Sequence, residues 1–96
     1  LASDQLLDLF RDGVDLDLKY SDGQSGQFSY AADGTVNARM AGQQLNGSWR
    51  IDGSDLCETW QPDVEHCYTV YPATASSKRF MRFDSFGTFN ARMKKL

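Results

Sequence analysis

The apolar positions of this chain change period once. Leu6, Leu7, Leu9 and Phe10 recur at i, i+3, i+4 spacing. This predicts a short helix over 3–12, with Ser3 as N-cap, Asp4 in the first turn and Gly13 at the C′ position. From Val14 the period becomes two: Val14, Leu16, Leu18 and Tyr20 alternate with Asp15, Asp17 and Lys19, the pattern of a half-buried strand. Turn residues follow at regular intervals, at Asp22-Gly23, Asp33-Gly34, Gly42, Asp52-Gly53, Pro62-Asp63, Pro72 to Ser77 and Ser85 to Gly87. They divide the chain into strands at 14–20, 26–31, 35–41, 45–51, 55–60, 64–71, 78–83 and 87–94. Short strands, tight turns and no intervening helices predict an all-β domain with a short N-terminal helix. The expected architecture is an antiparallel eight-stranded meander, a closed or partly open up-and-down β-barrel that is a lipocalin-like miniature. Residues 1–96 form one domain, with the meander over 14–94.

If the meander closes, its first and last strands become neighbours, and charge bears on that edge. Residues 1–77 carry 12 acids and 4 bases, and residues 78–96 carry 6 bases and 1 acid, within a net charge of −3. Asp15 and Asp17 are expected to point outward on the first strand, and Asn90, Arg92 and Lys94 on the last, with Phe89, Ala91 and Met93 inward. Pairing those edges sets opposite charges face to face and removes two open edges. The basic tail (Lys78, Arg79, Arg82, Arg92, Lys94, Lys95) is thus expected to neutralise an acidic part of the same fold. An anionic polymer or a membrane surface is its alternative partner; nucleic acid is not expected, because no nucleic-acid module signature accompanies the charges. One heptapeptide, Gly34-Thr-Val-Asn-Ala-Arg-Met40, recurs as Gly87-Thr-Phe-Asn-Ala-Arg-Met93, and upstream Phe28-x-Tyr30 matches Met81-x-Phe83. The copies lie an odd number of strands apart, so in a meander they run in opposite directions. The echo is taken as shared hairpin chemistry, not as two equivalent sites.

Composition narrows the chemistry. Six Phe, four Tyr and two Trp suffice to fill a small core, and no apolar run is long enough for a membrane-spanning helix. One His and two Cys are too few for a His/Cys metal centre, so no metal or other cofactor is expected. Walker, G-x-S-x-G and H-E-x-x-H motifs are absent from the sequence. Cys57 and Cys67 read as a disulfide or as two reduced core thiols. The turn midway between them sets them opposite each other in a hairpin, at a separation a disulfide bridges. Closing that loop is worth about 2.5–3 kcal/mol in a chain-entropy treatment. An oxidising compartment is therefore expected, periplasmic or secreted. A start at Leu1 in place of Met fits a processed, exported form.

The same register pairs Leu56 with Tyr68, Glu58 with His66 and Trp60 with Val64 on the face opposite the cysteines. The single histidine would then meet a carboxylate among apolar neighbours. Such a pair is a candidate for acid–base chemistry or for anchoring a ligand, and a solvated ion pair near the rim is the structural alternative. Trp49 and Trp60 read as core or rim aromatics, or as a stacking platform for an apolar ligand.

The segments Gly47-Ser-Trp49, Leu56-Cys57-Glu-Thr-Trp60 and Cys67-Tyr-Thr-Val-Tyr71 complete a pattern with the opening helix and the Tyr30-Ala-Ala-Asp33-Gly34-Thr35 turn. The pattern resembles a family of small exported bacterial proteins of unknown function, over most of the chain. The resemblance implies a periplasmic or secreted β-domain with a Cys57–Cys67 bridge, and it implies no activity. The G-x-W is also similar to that of lipocalin-like barrels, although there it opens the first strand and here it lies mid-chain. An eight-stranded barrel holds either its own side chains or one small ligand. Short strands with many aromatics to place predict a filled interior. The expected function is a non-catalytic, monomeric binding module for a protein partner or a small apolar ligand. Trp49, Trp60, Glu58, His66 and Tyr68 are its candidate contact residues, and a small enzyme using Glu58–His66 is the competing class.

Overall fold

A glycine ends the helix and starts the sheet. In α1 (Ser3–Phe10) the last turn closes with Arg11 N–H donating to Leu7 O at 2.7 Å. Gly13, at φ +84°, then donates to Phe10 O at 3.0 Å and turns the chain directly into β1 (Val14–Tyr20). The computed structural model describes residues 3–60, 63–73 and 78–96, with Ser3 described through its backbone alone. The side chain of the expected N-cap, Ser3, is not among those described, and the turn residues 61–62 and 74–77 lie outside the described residues.

The strands that follow are β2 (Ser25–Tyr30), β3 (Thr35–Met40), β4 (Gln43–Asp52), β5 (Asp55–Trp60), β6 (Val64–Pro72), β7 (Arg79–Phe83) and β8 (Phe89–Lys95). Each pairs antiparallel with its predecessor, and β8 pairs with β1 to close the barrel. All the expected strands are present, with ends displaced by two residues at most.

Charge plays a smaller part in closure than expected. Across the seam Asp17 faces Lys94, but Lys19 faces Arg92, a like-charge pair. The seam's inward face is apolar: Leu16, Leu18, Ala91 and Met93 are all buried. Burial of that row is what closes the sheet.

Three hairpins share one turn. Tyr20, Ala31 and Asp84 each donate their N–H to the carbonyl four residues on and accept from the N–H of Gly23, Gly34 and Gly87. Those glycines have φ of 93°, 94° and 82°, the left-handed position such a turn demands. This is the physical content of the heptapeptide echo. Asp33 and Asp84 reinforce it by accepting backbone N–H bonds through Oδ1, from Thr35 and from Phe86 and Thr88.

α1 covers the barrel end where β1 begins and packs on β4 and β5. Leu6 and Phe10 are fully buried, while Leu7 lies off that stripe and is half-exposed. Phe10 meets Tyr30 edge-on at 5.0 Å and Trp49 at 5.4 Å. The glycine of Gly47-Ser-Trp49 is required by packing: a Cβ there would sit 2.5 Å from Thr59 O and 2.8 Å from the Trp60 ring.

One turn carries strain that the sequence can relieve. Ala41 and Gly42 join Met40 to its partner Gln43, with φ of 50° and 75°, a two-residue type I′ turn. Alanine is disfavoured there and asparagine is favoured. Ala41→Asn is expected to raise the unfolding free energy by about 0.5–1 kcal/mol. Urea denaturation checks this as a higher midpoint at unchanged slope.

Candidate functional site

Which face of β7 enters the barrel is decided by one residue in β8. The echo with β2, where Phe28 and Tyr30 are buried, would turn Met81 and Phe83 inward. The structure turns Phe80 and Arg82 inward instead. Phe83 pairs with Phe89 as Tyr30 pairs with Val36, but Arg82 pairs with Ala91, which leaves Asn90 unpaired in a bulge. Without that extra residue Met81 would face Ala91, as Phe28 faces Ala38. A one-residue slip exchanges the faces of a strand, and here it brings a guanidinium inside. The expected orientations of Phe89 and Asn90 are corrected by the same bulge. Phe89 packs edge-on against Phe83, which meets the exposed Tyr71, and Asn90 turns onto Arg82.

Arg82 and Glu58 are each 1% exposed and form an ion pair inside the barrel, Nη1 to Oε2 at 3.0 Å. Glu58 Oε2 also accepts from the Tyr30 hydroxyl, and Oε1 accepts from Trp60 Nε1 at 3.1 Å. On the other side Arg82 Nε donates to Asn90 Oδ1 at 2.6 Å and Nη2 to the Tyr20 hydroxyl at 3.2 Å. The Tyr68 ring lies under the guanidinium, 4.0 Å from its centroid, and the Tyr20 ring lies 5.5 Å away. Among the described residues no buried side-chain N or O lacks a hydrogen-bond partner. A buried charge pair is tolerable under that condition and costly without it.

Burial sets the ionisation of the surrounding groups. Desolvation pushes the Tyr20 phenol up to about 12, with the Arg82 charge opposing. Desolvation likewise raises Tyr68, and it raises Tyr30 well above its ordinary value with help from the Glu58 carboxylate. Burial alone would lower Arg82, but Glu58 and the phenol oxygens outweigh it and hold the guanidinium above its ordinary value. The centre is thus a permanent cation, a carboxylate that accepts three hydrogen bonds, and phenols held protonated.

The expected site residues are only partly brought together. Glu58, Trp60 and Tyr68 belong to this network; Trp49 belongs to the aromatic cluster under α1, its Nε1–H donating to Ala31 O at 2.9 Å. His66 stands directly opposite Glu58 in the ladder, as the register arithmetic requires. It is nonetheless exposed, and among the described residues no hydrogen bond or ion pair joins it to Glu58. The carboxylate's partner is Arg82, which the sequence reading assigned to the tail. Its one signal was the inward phase shared with Phe80, and that phase follows only once the bulge is known.

Cys57 and Cys67 are cross-strand partners with Sγ atoms 2.12 Å apart, on the opposite face of β5 and β6. Arg50 reaches over them to hold Glu65 through two bonds, Nε to Oε2 at 2.9 Å and Nη2 to Oε1 at 2.8 Å. Cys57, Glu65 and Cys67 also form the one grouping among the described residues tight enough for a metal ion, and the two sulfurs are spent on each other. Compared with models of protein families, with curated proteins and with solved structures, the chain matches none.

Two outcomes follow from the buried pair. Arg82→Met or Glu58→Leu alone is expected to cost about 3–5 kcal/mol, because each leaves a lone buried charge. The double variant should cost clearly less than the sum of the two, which a double-mutant cycle in urea measures. The phenols give the second outcome. A group whose pKa is raised by folding stabilises the native state below its unfolded value and loses that contribution through its folded value. Stability is therefore expected to hold up to pH 10.0 and to fall between there and about 12, where Tyr20 ionises. Denaturant midpoints measured across that range check the sign.

Proposed function

We propose that this chain is an exported, non-catalytic binding module that acts on a protein partner through the outside of its barrel. The observation that carries this reading is the occupied interior. The space in which a carrier barrel holds its ligand is taken by the Glu58–Arg82 pair, the phenols of Tyr20 and Tyr30, and the rings of Phe28 and Trp60. A small apolar ligand would have to displace a satisfied ion pair, at a desolvation cost that an apolar contact does not return. Acid–base use of Glu58 is disfavoured for the same reason, since His66 is exposed and the carboxylate is committed elsewhere. The Cys57–Cys67 bridge supports an oxidising, periplasmic or secreted location. No described helix is long and apolar enough to cross a membrane.

Native mass spectrometry of the purified protein, combined with titration by the apolar dye Nile red, tests the filled-barrel premise. The bare polypeptide mass and no saturable dye binding are expected. A co-purified small molecule, or saturable binding that quenches tryptophan fluorescence, would overturn the reading in favour of a ligand carrier.

A further inference from the structure

The outer wall across β7, β8, β1, β2 and β3 is hollowed into a groove of about 760 Å³. Lys19, Arg39, Arg79, Arg92 and Lys94 line it against a single carboxylate, Asp17. Each of the five cations is exposed, and among the described residues none makes an ion pair. The groove therefore carries +4 on a chain of net −3, which leaves −7 for the rest of the protein. The basic tail, expected to neutralise an acidic part of the same fold, does so through Arg82 against Glu58. Its Arg82 went inside, and its Arg79, Arg92 and Lys94 stand on the wall unpaired.

The ladder arranges this charge with a local two-fold symmetry. Arg92 faces Lys19 across the seam, and Arg39 faces Gln27 across β2–β3. Met93 faces Leu18 as Met40 faces Gly26, and Leu18 faces Gly26 between them. The echoed strands β8 and β3 thus flank β1 and β2 in opposite directions, about a dyad at Leu18/Gly26. Their matching arginines stand at the two sides of one groove, three strand spacings apart and two residues out of line, about 16 Å in all. An extended peptide covers that distance in about five residues. Between the arginines the outward side chains of β1 and β2 are polar, Gln27 and Ser25 facing a backbone laid across them beside Asp17 and Lys19, and the half-buried Met81 lies at the β7 edge.

We propose that this groove is the docking site for an extended acidic segment of the partner protein, with carboxylates meeting Arg39 on one side and the Arg92, Lys94, Arg79 cluster on the other. The inference rests on the binding-module reading and names its surface. A short acidic segment fits the charge distribution better than a long uniform polyanion. A nucleic acid or sulfated glycan extending past the groove would run onto the −7 remainder, whereas a peptide engages the basic wall alone.

The test uses the intact chain, labelled with ¹⁵N, and a hexapeptide of two Glu, three uncharged polar residues and a third Glu. Saturable amide shifts are expected on residues 17–19, 25–27, 39, 79–81 and 92–94. They should weaken with added salt and vanish when the Glu residues of the probe become Gln. Arg39→Glu and Arg92→Glu should each reduce affinity about tenfold, while Arg11→Gln, outside the groove, leaves it unchanged. Unchanged thermal midpoints exclude unfolding as the cause. Absence of saturable shifts at about 1 mM peptide, shifts confined to another face, or tighter binding of a dT10 oligonucleotide or a heparin oligosaccharide would each overturn the proposal. Such a failure beside a bare mass and no dye uptake would discard the groove and leave the binding-module reading standing. Dye uptake would strike that reading directly.

Discussion

The ion pair between Glu58 and Arg82 is the constraint around which the barrel is arranged. Two charges removed from water cost several kcal/mol each, and their mutual attraction offsets that only when every remaining donor and acceptor is matched. The matching here draws in Tyr20 from β1, Tyr30 from β2, Trp60 from β5, Tyr68 from β6 and Asn90 from β8. With Arg82 on β7, the network ties together strands that are remote along the chain and on opposite walls of the barrel. An apolar core tolerates small side-chain displacements, because one methyl group substitutes for another. A satisfied charge network does not, since a displaced strand orphans a donor. The interior therefore constrains which strand arrangements are compatible with closure, whatever its net contribution to stability.

The division of labour along the chain follows from this. One end is closed by α1, whose Leu6 and Phe10 bury against Tyr30 and Trp49 with no charge involved. The polar network lies deeper along the barrel, and the disulfide fastens the opposite face of β5 and β6. Glu58 is thereby held between a covalently fixed hairpin and the β7–β8 hairpin that carries Arg82 and Asn90. The Cys57–Cys67 register and the Asn90 bulge are the two local devices that bring the carboxylate and the guanidinium to the same level.

Legibility in the sequence divides along the same line. The helical stripe from Leu6 to Phe10, the alternation from Val14 onward and the glycines that need positive φ are local signals, and they yielded the helix, the strands and the glycine turns. Register within the cysteine hairpin was also legible, because a two-fold period and one known pairing determine the rest; Glu58 does face His66. What escaped was the partner of Glu58. Arg82 belongs to a charged run, and its inward phase depends on an extra residue at position 90 that no local pattern marks. The echo with Gly34–Met40 even argued the other way, since it aligned Met81 and Phe83 with the inward Phe28 and Tyr30. A bulge is a property of a pair of strands, so reading either strand by itself cannot find it.

The same bulge gives the heptapeptide echo its consequence. Identical Asn-Ala-Arg-Met segments in β3 and β8 put Ala38 and Ala91 inward and Arg39 and Arg92 outward. Their opposite directions turn that likeness into a dyad across β1 and β2. Upstream, where the copies differ, β2 contributes Tyr30 to the interior and β7 contributes Arg82, so the phenol and the guanidinium converge on one carboxylate from two walls. Similarity in the outer halves builds a surface with matched arginines, and dissimilarity in the inner halves builds the charged centre. The interior of the barrel is committed in this way, and the cations that make no ion pair among the described residues are concentrated on its outer wall.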